Sequence, residues 1–281
     1  MIVEAFAKVN LFLAVRTRDT TGYHPIRSLM QSIGWSDTLS LDWADEDRFT
    51  LGGTGHLAAD MDNLAWRAVV AVRDDTVSRR PMALDLIKRI PEAAGLGGGS
   101  ADAAGGLIAS SRLHGVPAGA TDRLAPDLGS DVPFCLVGGT AWVEGRGELV
   151  TPVPLVAGYT LAVVVPPIEL STPAVYRRWD ELGGPTGTGI GDRRLPPSLR
   201  DLGPLSNDLL PAATSLYPQL GDWIADLVGR WERPVLLTGS GAGLFGFFVD
   251  ADEAAEAAAS VPGARGAWAG TPEATGWRVV E

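Results

Sequence analysis

The sequence predicts a mixed α+β chain folded as two lobes, and three observations carry that prediction. Residues Val3 to Val15 alternate as a strand does, with Val3, Ala5, Ala7, Val9, Leu11, Leu13 and Val15 on one face. Met82 to Ile90 alternates again and leads through Pro91 into a run of glycines that opens an alanine-rich helix. The texture changes around Pro152 to Pro154, and beyond it a second set of strands and helices follows without strict alternation.

Along the chain, the other face of the first strand carries Glu4, Phe6, Lys8, Asn10 and Phe12. A lysine and an asparagine bracketed by two phenylalanines describe the lining of a cleft better than a plain wet surface. Leu29 to Leu41 is strand-like, and Asn63 to Arg73 has helical spacing with Asp62 placed to cap it. Ser100 is the expected start of a helix from Ala101 to Leu113, stopped by Gly115 and Pro117. Leu124 to Leu136 holds a short helix and the turn Gly129-Ser130-Asp131-Val132-Pro133, and Thr140 to Glu144 reads as a strand. In the second half, Leu161 to Val165 and Val235 to Leu237 read as strands, and Gly241 to Val249 turns into another. Tyr217 to Val228 and Asp252 to Ser260 read as helices, and Gly183 to Pro204 as a long irregular loop.

Composition excludes several classes of function. The net charge of -11 argues against a nucleic-acid partner, which demands a basic surface. It leaves room for an anionic small substrate held by a local cluster of donors. The single cysteine, Cys135, rules out an internal disulfide and a cysteine-built zinc site. His24, His56 and His114 show no metal-ligand spacing, so no metal site of the protein's own is expected. No signal-peptide layout opens the chain and no apolar run is long enough to span a bilayer, so the expectation is a cytoplasmic protein without a membrane partner.

The most informative segment is Gly95-Leu96-Gly97-Gly98-Gly99-Ser100. Glycines let backbone approach a ligand without Cβ clashes, and a helix start offers unpaired N–H groups and a positive dipole end. Together they describe a phosphate site. A Walker A loop needs a lysine at the helix start, and none is present. A Rossmann fingerprint counted from Gly95 needs glycine at the sixth position, which is Ser100. Gly241-Ala242-Gly243-Leu244-Phe245-Gly246 fits that string but runs into strand-like Phe247-Phe248-Val249, so a nicotinamide-dependent oxidoreductase is disfavoured.

With its companions, this loop resembles the ATP-binding motif of the GHMP kinase superfamily. Ala7-Lys8-Val9-Asn10-Leu11-Phe12-Leu13 resembles the N-terminal motif, and Thr238-Gly239-Ser240-Gly241-Ala242-Gly243 the C-terminal glycine motif that packs beside the phosphates. Gly22-Tyr23-His24, Leu128 to Phe134, Thr172 to Tyr176 and Ser206 to Leu209 are similar to the branch that phosphorylates a cytidine-diphosphate-linked methylerythritol in non-mevalonate isoprenoid synthesis. The motifs span nearly the whole chain. Two departures stand out: Thr21 where that branch usually has aspartate, and Ala101 where it often has a second serine.

The resemblance implies an ATP-binding lobe over 1–152, a second lobe over 153–281 and an active site between them. It implies ATP and Mg²⁺, a small-molecule substrate, and a monomer or weak homodimer. Gly95, Leu96, Gly97, Gly98, Gly99, Ser100 and Ala101 would hold the nucleotide phosphates, Asp102 would approach Mg²⁺ or ribose, and Asn63 and Lys88 would line the adenosine pocket. Asp131 would accept the proton of the substrate hydroxyl beside Lys8, which keeps the carboxylate ionised. Tyr23 and Tyr176 would sandwich the cytosine and His24 would read its edge. Asn10, Thr172, Gly239 and Ser240 complete the substrate side. Each residue has a plainer alternative: Asp131 can merely shape a turn, Asn63 cap a helix, Asp102 favour the helix dipole, and Thr172 start a turn before Pro173. The rivals in function are another superfamily kinase, of homoserine or mevalonate type, and a non-catalytic nucleotide or metabolite sensor.

Overall fold

The computed structural model describes residues 1–54, 60–117, 119–191, 195–202 and 204–280, so His56 and parts of the 183–204 stretch lie outside the described residues. Its first sheet contains β1 (Ile2–Val15), β2 (Ile26–Trp43), β3 (Arg48–Gly53), β4 (Met82–Lys88), β5 (Thr140–Gly145), β6 (Leu149–Val153) and β11 (Trp277–Val279). The order is β11-β1-β2-β4-β3, with β5 pairing β2 and carrying β6. One face is covered by α1 (Leu64–Asp74), α2 (Gly98–His114), α3 (Gly119–Leu128) and α4 (Val132–Val137).

The second sheet runs β10 (Gly266–Gly270), β7 (Thr160–Val165), β9 (Leu244–Phe248), β8 (Val235–Leu237). Its outer face carries α5 (Thr172–Glu181), α6 (Leu210–Leu216), α7 (Pro218–Trp231) and α8 (Ala251–Ala259). The result is four layers around three apolar cores. Every residue of β7 is buried because both faces are covered. Leu161, Val163 and Val165 meet the first sheet, and Ala162 and Val164 meet the outer helices. This is why the sequence there is a continuous apolar run rather than an alternation.

The first strand departs from simple alternation in a way that builds the site. Ala5 lies beneath Gly105 of α2, while Lys8 lies beneath Gly97 at the start of the same helix. Residues of opposite parity thus face one side, and the pairing of β1 with β2 shifts register between Phe6 and Ala7. A register break of this kind turns a strand about its axis and re-aims its side chains. It leaves Ala7, Val9 and Leu11 against the second sheet and swings Lys8 and Asn10 toward the glycine loop.

Two expected boundaries move. The cap of α1 is Asn63, whose Oδ1 accepts from the Ala65 N–H at 2.9 Å, rather than Asp62. The glycine-loop helix starts at Gly98, two residues before Ser100, with Gly97 in the left-handed conformation at its N-cap. β6 runs across residue 152 to Val153, and β11, at the far end of the chain, returns to pair with β1. The last strand therefore ties the second half of the sequence into the first sheet.

Candidate active site

A cleft of 660 Å³ opens where β1, the glycine loop, α4 and the start of α5 converge. At its floor the ammonium of Lys8 is 3.4 Å from the Asp131 carboxylate and donates to Asn10 Oδ1 at 2.8 Å. Lys8 is almost wholly buried, whereas the Asp131 side chain keeps 27% of its surface exposed. Asp131 precedes α4, yet its carboxylate makes no capping hydrogen bond. It is turned to the cleft, and shaping the turn does not occupy it.

Asn10 is the joint between the N-terminal and C-terminal motifs. Its Oδ1 accepts from the Gly239 N–H at 2.8 Å, its Nδ2 donates to Ser28 at 2.8 Å, and its backbone N–H donates to Thr238 Oγ1 at 3.1 Å. Thr238 in turn donates to the Gly95 carbonyl at 3.0 Å. The backbone adds to this: Lys8 N–H donates to Leu96 and Gly243 N–H to Ala94, both at 2.9 Å. Three segments far apart in sequence are thereby fixed around one point. Asn207 completes the joint from the second lobe, donating to the carbonyls of Leu237 and Gly239 at 2.9 and 2.7 Å.

Gly95 has no alternative residue in this arrangement. Its φ is +70°, and a Cβ there would stand 2.1 Å from the Thr238 carbonyl oxygen. Gly95→Ala is expected to cost at least about 1–2 kcal/mol in left-handed strain, with the backbone clash added. A thermal melt should show a midpoint lowered by several degrees.

Beyond Gly95, the N–H groups in the first turn of α2 have no partner within the helix, as at any helix start. Gly97 and Ser100 line the cleft there. This donor set, with the Lys8 ammonium adjacent, fits a polyphosphate. Mg²⁺ normally takes one or two protein oxygens and completes its shell with phosphate and water. The Asp131 carboxylate and Ser100 hydroxyl at the same cleft are donors of that kind. Among the described residues no group of three or more His, Cys, Asp or Glu side chains forms a metal cage.

The side chains of five expected nucleotide residues are engaged elsewhere. Lys88 is buried, its ammonium bound to Asp37 and, at 2.6 Å, to Asp102. A lysine so neutralised does not present its charge to an adenosine pocket, and Asp102 points into the protein rather than to ribose or metal. Leu96 and Ala101 are likewise core residues whose contribution to a ligand would be backbone only. Asn63 acts as a helix cap.

The residues expected on the substrate side share one cleft. Tyr23, His24, Thr172, Tyr176, Gly239 and Ser240 all line the cleft. Thr172 and Ser240 share a hydrogen bond of 2.7 Å, which closes α5 onto the C-terminal glycine turn. His24 stacks on Tyr176 with centroids 5.3 Å apart. Its Nδ1 donates to the Arg16 carbonyl at 2.8 Å, and its Nε2 accepts from Arg18 at 3.2 Å. Both ring nitrogens are thus engaged, and an imidazole reading a base edge, as expected from sequence, would have to give one up. Burial raises the Tyr176 phenol and keeps it protonated. Sequence reasoning missed Arg18, Arg146 and Arg177, which also line the cleft. Arginines outside a recognisable motif carry no local signal of their destination.

Known proteins match along the length of this geometry. Residues 63–139, from the α1 cap past Asp131, match the GHMP kinases N terminal domain. The 4-diphosphocytidyl-2-C-methyl-D-erythritol kinase of Cutibacterium acnes is 40% identical over 86% of this chain and 83% of its own. That of a Polaromonas species is 39% identical, over 95% and 88%. A crystal structure of 4-(cytidine 5'-diphospho)-2C-methyl-D-erythritol kinase superposes with a TM-score of 0.81 at 34% identity, covering 97% of this chain and 99% of the other. Likeness of this extent, with the motif residues converging on one cleft, places the chain in the 4-diphosphocytidyl-2-C-methyl-D-erythritol kinase family of GHMP kinases.

Proposed function

We propose that this protein transfers the γ-phosphoryl group of ATP to the 2-hydroxyl of 4-diphosphocytidyl-2-C-methyl-D-erythritol. The observation that carries the reading is the Lys8–Asp131 pair, 3.4 Å apart on the floor of a cleft shared with Gly95, Gly97 and Ser100. Phosphoryl transfer asks a protein mainly for positioning and charge neutralisation.

In this scheme Asp131 orients the substrate hydroxyl and takes its proton as the new O–P bond forms and the bond to ADP breaks. Lys8, 3.4 Å from the Asp131 carboxylate, stands close to the transferring group and offsets its charge. The first turn of α2 holds phosphate oxygens with its N–H groups. Asp131 and Ser100 are the side chains here that would hold a Mg²⁺ arriving with ATP, which would supply neutralisation of phosphate charge. Tyr23 and Tyr176 bind the cytosine, with Thr172 and Ser240 toward the diphosphate.

The test is ADP release with ATP, Mg²⁺ and the cytidine substrate, beside homoserine and mevalonate. Release only with the cytidine substrate is the expected result. Activity on homoserine or mevalonate alone would overturn the substrate, and binding of both ligands without ADP would turn the protein into a sensor.

A further inference from the structure

Tyr23 is the most exposed aromatic ring of the cleft, with 59% of its surface accessible. A ring so exposed samples rotamers, and stacking on it would cost the freedom it gives up. One contact restrains it. The guanidinium of Arg146, on the turn after β5, lies over the ring 4.4 Å from its centroid. Among the described residues no other ring or cation stacks on Tyr23.

Arg146 is itself held in place. It donates to the Thr21 hydroxyl, and its guanidinium is 4.0 Å from Asp19. Thr21 donates its hydroxyl proton to Asp19, and Asp19 also accepts from the backbone N–H groups of Thr21 at 2.8 Å and Tyr23 at 3.3 Å. These hydrogen bonds, with that from the Thr21 hydroxyl foremost, hold the Asp19 carboxyl below its ordinary range, so the anion that faces Arg146 persists. The turn that carries Tyr23 and the arginine that backs its ring thus form one hydrogen-bonded unit. It links β1 and β2 to β5, over 125 residues of sequence between Thr21 and Arg146.

We infer that Arg146 is a positioning residue for base recognition: braced by Thr21 and Asp19, it covers one face of Tyr23 and presents the other to the substrate's cytosine. Thr21 is the middle link of the brace. A hydroxyl can accept from Arg146 and donate to Asp19 at once, which a carboxylate cannot. This role rests on the proposed cytidine substrate but is separate from catalysis, since Arg146 touches Tyr23 and not the Lys8–Asp131 pair.

The experiment compares wild type, Arg146→Ala, Tyr23→Ala and the double variant, using cytidine and CDP as binding probes and the full substrate in turnover. Cation–π contacts span about 0.5–2 kcal/mol. Arg146→Ala is therefore expected to weaken cytidine and CDP alike by about three- to tenfold. It should raise KM for the cytidine substrate by a similar factor, with KM for ATP within about twofold. In the Tyr23→Ala background the same change should have little further effect, an outcome that general loosening of the fold would not produce. A loss confined to CDP would mean that Arg146 grips the diphosphate directly, and would overturn the positioning role. So would an unchanged cytidine affinity, or full additivity with Tyr23→Ala. Wild type that neither binds cytidine nor phosphorylates the substrate would instead defeat the functional reading beneath it.

Discussion

Asp131→Asn is expected to lower turnover about a thousandfold while the protein stays folded. General-base assistance contributes on the order of 10²–10⁴-fold, and asparagine keeps the volume but loses the capacity to take a proton. The fold should tolerate it, because Asp131 is partly exposed and does not cap α4. Lys8 would lose an ionic partner but keep Asn10 at 2.8 Å. Lys8→Met should cost activity of the same order, and the two changes together should cost little more than either alone, as residues acting as one unit do. Single-turnover measurements with saturating ATP and the cytidine substrate read this directly. If Asp131→Asn keeps more than about a tenth of wild-type turnover, the carboxylate is not the proton acceptor. If the double variant is fully additive, Lys8 and Asp131 act independently.

Much of this site was legible because its chemistry sits in short contiguous strings. Lys8 and Asn10 share a strand motif, the phosphate loop is one run of glycines, and Asp131 lies in a distinctive turn. What the sequence concealed depends on contacts between distant segments. The turn of β1 between Ala5 and Lys8 follows from a register shift against β2, and the alternating pattern alone puts the same residues on one uninterrupted face. The helix start moved from Ser100 to Gly98 because backbone geometry at Gly97, and not a side-chain cap, ends the loop. The return of β11 to the first sheet rests on three residues, too few to carry a periodic signal. Thr172 to Tyr176 forms the first half of α5, which its sequence does not announce, since Thr-Pro at its head suits a turn as well as a helix start. The burial of Lys88 is hidden in the same way: its partners Asp37 and Asp102 lie 51 and 14 residues away, and a lysine at the last position of a strand is ordinarily exposed.

That buried cluster leads to the second large effect, on stability rather than on turnover. Lys88→Met is expected to destabilise the protein by about 3–5 kcal/mol, the usual result of removing one member of a buried ionic group. Asp37 accepts from the N–H groups of Arg89 and Ile90 as well as from Lys88. Burial, aided by the neighbouring Asp37 and opposed by Lys88, raises the Asp102 carboxyl well above its ordinary value. The consequence for pH has a definite sign. A carboxyl raised on folding contributes stability that is fully present below its unfolded value, near 4, and is lost as pH rises toward the folded one. Asp102→Asn removes that dependence, so the stability of this variant relative to wild type should increase between pH 4.5 and pH 8. Urea titrations at the two pH values measure it, and a difference that is constant or falls with pH would mean that Asp102 is an ordinary anion. Lys88 Nζ would lie 3.3 Å from a Cβ at Gly98, directly beneath the first turn of α2. Loss of the cluster should therefore also loosen the phosphate loop, and Lys88→Met should raise KM for ATP more than KM for the cytidine substrate, although its side chain does not open on the cleft.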